Sequence, residues 1–298
     1  MSNEMTILYP DFIKAVSEIK RRRDKAIAEN RGGGIFCNVP SGGGKTHLIE
    51  FLHRQWPADH TGEKSNIPIV SFTVPSSPTE NSMAEALLKS IGDPAWYIGK
   101  AQSKTDRAIK LIQQCNVSVI CIDNVQDIIE RRGKKGITLI GSWIRQVYDR
   151  SKRLVVLLGT PAAIPVIDDN DQIKRRFHSR IRICHLGIEN SESIAVFYRF
   201  LETLDHSLPI AELSGLQNQE LIYKLFWATH GIQDYIFKLM SEAISHAVHE
   251  KREKILEKDL EVAFHRIFMD QAEEINPFSI SGLSRPLDQE GEPFYKWY

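Results

Sequence analysis

The chain carries no surplus charge of either sign: 38 lysines and arginines cancel 38 aspartates and glutamates over 298 residues. Attachment to nucleic acid or to an acidic surface by bulk charge is thereby excluded, and any such surface has to come from local clustering. Cysteine is scarce. Of Cys37, Cys115, Cys121 and Cys184, none has C-x-x-C spacing, and all but Cys115 lie in apolar, strand-like runs. That excludes a disulfide framework or a cysteine-rich zinc site and suits free thiols in a reducing compartment. No apolar run approaches the roughly 18 residues of a membrane span, and the opening Met-Ser-Asn-Glu has no apolar leader core. The expectation is a cytoplasmic protein with no membrane partner. There is no internal repeat. What is present is ordinary globular stock, 42% hydrophobic and 26% charged, enough for one large domain or two smaller ones.

One stretch stands out from that background, Val39-Pro40-Ser41-Gly42-Gly43-Gly44-Lys45-Thr46-His47. It follows the apolar run Ile35–Val39 and precedes Leu48-Ile49-Glu50-Phe51-Leu52, which has helical spacing. Strand, glycine-rich turn, then Lys-Thr opening a helix is the context of a phosphate-binding P-loop. Glycines let successive backbone N–H groups curl around an anion, and the helix N-terminus adds partial positive charge. Residues Pro40 to His47 are the expected nucleotide cradle, with Lys45 on the β/γ-phosphates and the Thr46 hydroxyl on Mg²⁺. Val39 departs from the pattern, which has glycine at its first position.

Val117–Asp123 is a β-rich run ending in a carboxylate, and it reads as a strand buried on both faces. An acid at that end sits on the sheet edge where ligands bind, so Asp123 is the second expected metal residue. Asn124 follows it, where many ATPases place Glu. A carboxamide orients water but cannot take its proton, so nucleotide binding should survive while hydrolysis is slow. Leu154–Gly159 is a further buried strand, ending at Thr160, and Ile181–Leu186 a fifth. From Asn190 only helical spacing recurs, at 192–204, 219–229, 233–249 and 258–273. The expected architecture is α/β: a three-layer core around a five-stranded parallel sheet at 31–189, an N-terminal helical segment at 1–30, a helical lid at 190–273 and a tail at 274–298.

Basic residues cluster in three places. Lys20–Arg23 reads as a solvated helix face or as a contact to phosphates, and the segment 131–136, taken as a loop between two helices, has the same two readings. The segment 168–182 is also densely basic. The tail carries Phe294, Tyr295, Trp297 and Tyr298, which could dock on a partner or pack back on the body.

The P-loop, Leu87–Pro94, the Asp123 strand, and Leu157–Ala162 followed by Asp171–Phe177 together resemble the AAA+ ATPases of transposons known as TniB or TnsC, relatives of the phage Mu B protein, from about Tyr9 to Gln271. The resemblance implies an ATP-dependent regulator that forms a homo-oligomer, a helical filament or ring, on duplex DNA. It also implies that the protein marks a target site and connects a targeting factor of the TniQ type to the transposase. By the same resemblance Thr160 looks like the hydroxyl that monitors the γ-phosphate. Arg176 looks like a finger reaching a neighbour's ATP, with Arg175 and Arg180 next in line. The resemblance puts DNA contacts at Lys100, Lys104, Arg107, Lys134 and Lys135, on the phosphate backbone and tolerant of sequence. Gly231-Ile232-Gln233-Asp234 lacks the arginine that the family's lid usually carries. A helicase loader or replication initiator, or a nucleotide-binding scaffold without DNA, are the alternatives.

Overall fold

The structure, a computed structural model, describes residues 7–61, 65–269, 275–279 and 284–295. The chain divides into two compact units, one comprising Asp11–Ser41 and Lys45–Ile183, the other Met1–Pro10, Gly42–Gly44 and Cys184–Tyr298.

The first unit is built on β1 (Gly33–Asn38), β2 (Ile69–Thr73), β3 (Val119–Asp123), β4 (Leu154–Gly159) and β5 (Ser179–Arg182). These form one parallel sheet in the order β2-β3-β4-β1-β5. Its helices are α1 (Pro10–Glu29), α2 (Lys45–Gln55), α3 (Glu80–Ile91), α4 (Ala101–Gln114), α5 (Asp127–Ser151), α6 (Ile164–Asp168) and α7 (Asp171–Arg176). β3 and β4 are buried at every position, which is why they read as unbroken apolar runs. Against the sheet, Trp143 of α5 is edge-on to Phe72, its indole N–H donating to Thr105 of α4 at 3.0 Å. Thr79 caps α3, and its backbone N–H is bonded in return by Ser82.

Two expectations about the backbone are corrected. The loop expected at 131–136 is narrower: two helical stretches of α5 meet at Gly133 (φ 57°, ψ −153°), and the residues on either side of it are helical. Arg131 holds the turn by pairing with Asp127 four residues earlier, and buried Gly136 gives the close approach, since a Cβ there would lie 2.7 Å from the Ile128 carbonyl. The fifth strand is shifted upstream to Ser179–Arg182, pairing Ile35 with Ser179, and only the Ile183 N–H continues the ladder, to Asn38. The Lys20–Arg23 block is largely spent within the unit. Arg21 and Arg22 both hold Glu18, while Arg23 donates to Ser118 and lies over the Trp56 ring.

In the second unit α8 (Ser191–Ser207), α9 (Gln219–Thr229), α10 (Gln233–His249) and α11 (Glu257–Ile267) pack together. Asn190 is the N-cap of α8. Phe294 of the tail is buried at 1% exposure, against Tyr235, His230 and Phe268. That aromatic packs back, while Tyr295 is exposed. Trp297 and Tyr298 lie outside the described residues, as do the first six positions and 270–274.

Two of the residues expected at DNA prove to be internal struts. Lys104 is 3% exposed and bonded to Glu85 and to Asn81 of α3, and it cannot reach a duplex. Arg107 donates to Asp93 at 2.7 Å and to the carbonyls of Ala95 (2.6 Å) and Ile98 (3.1 Å). Lys104 is buried while Glu85 is partly exposed, so Lys104→Ala, which removes its hydrogen bonds to Glu85 and Asn81, should lower the unfolding free energy by about 1–2 kcal/mol. Lys104→Met combined with Glu85→Leu should recover most of it. Urea denaturation of the two variants measures the difference, and a cost below about 0.5 kcal/mol for Lys104→Ala would show a dispensable surface pair.

Candidate functional site

The Val39 departure has a plain backbone explanation. Val39 is not among the positive-φ residues; it continues β1, its N–H donating to the Gly159 carbonyl at 2.9 Å, with its side chain fully buried. The turn that needs glycine begins later. Gly42 (φ 67°) and Gly44 (φ 87°) take the left-handed conformation that L-residues with side chains avoid. Gly42 belongs with the helical unit, where the Asp234 N–H donates to its carbonyl at 3.1 Å and a Cβ would press to 2.6 Å on Ile232.

Lys45 opens α2 and folds over the loop, its Nζ 3.3 Å from the Val39 carbonyl and 3.4 Å from that of Pro40. Burial pulls its pKa down, and the field of Asp123 partly restores it. Asp123, 9% exposed at the end of β3, is its electrostatic counterpart: burial pushes its carboxyl up, opposed by the Asn124 N–H (2.8 Å) and by Lys45. β4 separates β1 from β3 in the sheet, so the two strand ends stand about 10 Å apart. Thr46 and Ser41 are exposed at the loop. His47 is half-buried, its ring 5.7 Å from Phe12 and its Nε2 without a hydrogen-bond partner among the described residues. Burial lowers its pKa, favouring the neutral ring.

Between these strand ends lies a connection that the sequence did not suggest. Asn124 sits at φ 56°, a conformation that asparagine tolerates better than most. The turn brings the Val125 N–H onto the Leu158 carbonyl at 3.0 Å. Gln126, 9% exposed, then bridges the two loops: its Nε2 donates to Asn124 Oδ1 at 3.3 Å, and its Oε1 accepts from the Thr160 N–H at 3.2 Å. The nearest sequence signal is a polar residue three positions after a buried strand, which alone specifies nothing. Thr160 opens a 3-10 turn (Pro161–Ala163) without using its side chain as the cap.

The arginines at the other end of β5 differ in what they touch. Arg176 makes a bidentate pair with Asp149 (2.8 and 2.7 Å) and donates to the Gln172 carbonyl at 2.9 Å. Arg180 is paired with Asp168. Arg175 is exposed, and no hydrogen bond or ion pair engages its guanidinium among the described residues.

The family model described as "Bacterial TniB protein" matches residues 1–182, more than half of the chain. The chain belongs to the TniB family. No curated protein matches this TniB chain. Among solved structures, it resembles ORC2 of Aeropyrum pernix in ADPNP–ADP complexes, with a TM-score of 0.59 and 11% identity over 89% of this chain and 70% of that one. ORC1 of the same organism, in complex with DNA, gives 0.59 and 11% over 89% and 67%. A RuvB variant of Thermotoga maritima gives 0.54 and 12% over 93% and 77%. At such identities the likeness shows the fold, that of the AAA+ P-loop ATPases. Among the described residues no helix is long and apolar enough to cross a membrane.

Gln126→Leu leaves Asn124 Oδ1 and the Thr160 N–H without their shared partner. It should cost about 1–2 kcal/mol of stability and change ATP turnover while leaving nucleotide affinity within about threefold. Fluorescent-nucleotide titration and phosphate release separate the two. An unchanged turnover would show that the bridge is only structural.

Proposed function

We propose that this TniB protein is an ATP-dependent DNA-binding regulator of transposition. With ATP bound it assembles as a homo-oligomer on duplex DNA, marks the target site and engages the transposase, under a targeting factor of the TniQ type. The observation that carries the reading is the opposed pair Lys45 and Asp123, part-buried at the start of α2 and the end of β3 on either side of β4, with Thr46 exposed at the loop. The donor set suits Mg²⁺: a hydroxyl and a carboxylate are hard oxygens, and this ion needs few protein ligands when phosphates and water complete its shell. Thr46 and Asp123 would hold it, and it would neutralise charge on the phosphates.

Hydrolysis is slow in this scheme. Asn124 accepts no proton, and its carbonyl oxygen is already engaged by Gln126. Turnover then waits on a cation from a neighbouring copy. Arg175 fills that role better than Arg176, because Arg176 would first have to leave Asp149, whereas Arg175 is exposed and unengaged. Arg176 is the brace that holds the α7 terminus. A cleft of about 260 Å³ lies beside Arg176, lined by Arg31, Arg175 and His178 together with Glu29 and the paired Arg21 and Arg22. Lys100, Lys134 and Lys135 are exposed and remain the candidates for backbone contact with DNA.

Fluorescence anisotropy with a random duplex tests this directly. Binding should require ATP or a non-hydrolysable analogue, fall steeply with salt, and vanish in Lys45→Ala. Arg175→Ala should bind nucleotide as the parent does yet fail to assemble in light scattering, with Arg176→Lys less affected. DNA binding that is equal without nucleotide overturns the switch. Nucleotide binding with no DNA binding at any salt turns the reading to a scaffold.

A further inference from the structure

The connection between α3 and α4 exposes two large apolar side chains side by side, Tyr97 at 60% and Ile98 at 53%. Exposed apolar pairs are common on floppy loops, but this one is braced. Asp93 folds the turn by accepting from the Ala95 N–H at 2.9 Å, and the Ile98 N–H closes it on the Ala95 carbonyl at 2.9 Å. Arg107 clamps it from α4 with three bonds: to Asp93 Oδ2, to the Ala95 carbonyl and to the Ile98 carbonyl. Trp96 anchors the turn on the core, edge-on to Tyr97 at 5.4 Å, with the Lys89 ammonium 3.5 Å above its ring. Gly99, at φ 105°, then turns the chain into α4 at Lys100. Much of the backbone entropy that binding would cost at this tip is removed before any ligand arrives.

The surroundings choose the ligand. Lys89 and Lys100 flank the pair, both exposed, and the one acid in the turn, Asp93, is consumed by Arg107. A rigid apolar tip between two exposed lysines, one of them resting on the Trp96 ring, fits a polyanion with an apolar interior reached through a groove. Base pairs inside a phosphate envelope have that composition, and apolar wedges between base steps are a known mode of minor-groove binding. A protein partner would have to meet the same two lysines with acids.

We propose that Tyr97 and Ile98 form a wedge that enters the groove of duplex DNA and unstacks a base step, with Lys89 and Lys100 on the flanking phosphates and Arg107 as the strut that positions the turn. This rests on the DNA binding proposed above. It recasts Arg107 as a positioning residue with no phosphate of its own.

The test uses the full chain, an ATP analogue and a random-sequence duplex carrying 2-aminopurine at several steps. The parent should raise 2-aminopurine fluorescence on binding. Tyr97→Ala/Ile98→Ser should abolish that rise and weaken binding roughly tenfold or more, stacking being worth about 1–3 kcal/mol per base. The slope of affinity against salt should stay unchanged, because the phosphate contacts are untouched. Tyr97→Trp should restore the signal. Arg107→Lys, which keeps the charge but loses the fork, should behave like the double variant; parental binding and fluorescence in Arg107→Lys would contradict the strut. A double variant that binds and unstacks as the parent does overturns the wedge and leaves the DNA-binding reading standing. A parent that binds no duplex removes both.

Discussion

The electrostatic pair of Lys45 and Asp123 is the constraint around which the core is arranged. Each is penalised by burial and each is partly relieved by the other's field. The sheet order sets their separation: β4 lies between the strands that carry them and places Thr160 in the gap. In the proposed function, a phosphate chain with its metal would supply charge of both signs there. The site is thus prepared for a ligand by the same burial that would make an unpaired Lys or Asp costly.

Gln126 gives that site a consequence beyond binding. Through Asn124 on one side and the Thr160 N–H on the other, it links the end of β3 to the end of β4, so a shift at either loop is felt by the other. Under the proposed function, slow turnover at such a site would suit a clock more than a motor. The arginines at the far end of β5 complete the picture, one held to Asp149 and one free to reach outward.

Much of this was legible locally. The loop from Pro40 to Thr46, the strand ending at Asp123 and the strand ending at Thr160 announce themselves because their chemistry and their hydrophobic pattern lie within a few residues. What was not legible depends on distant partners. Lys104 and Arg107 look like free cations until Glu85 and Asp93, 19 and 14 residues away, are found to hold them. The same is true of Arg176, whose partner Asp149 is 27 residues upstream. Residues 131–136 carry two glycines and four cations, which reads as a loop; the break between the two helical stretches is there, but it is confined to Gly133, and Gly136 packs closely on Ile128. Val39 was the reverse case, a departure from pattern that cost nothing because the backbone there is still strand.

The central claim is that nucleotide occupancy between Lys45 and Asp123 is converted into assembly on DNA. Electron microscopy of the protein with duplex DNA, under ATP and under ADP, tests it most directly. Ordered filaments or rings on DNA with ATP, dispersed particles with ADP and dispersed particles for Asp123→Ala under either nucleotide are the predicted result. Assemblies of the same form and number with ADP, or with Asp123→Ala, would contradict it.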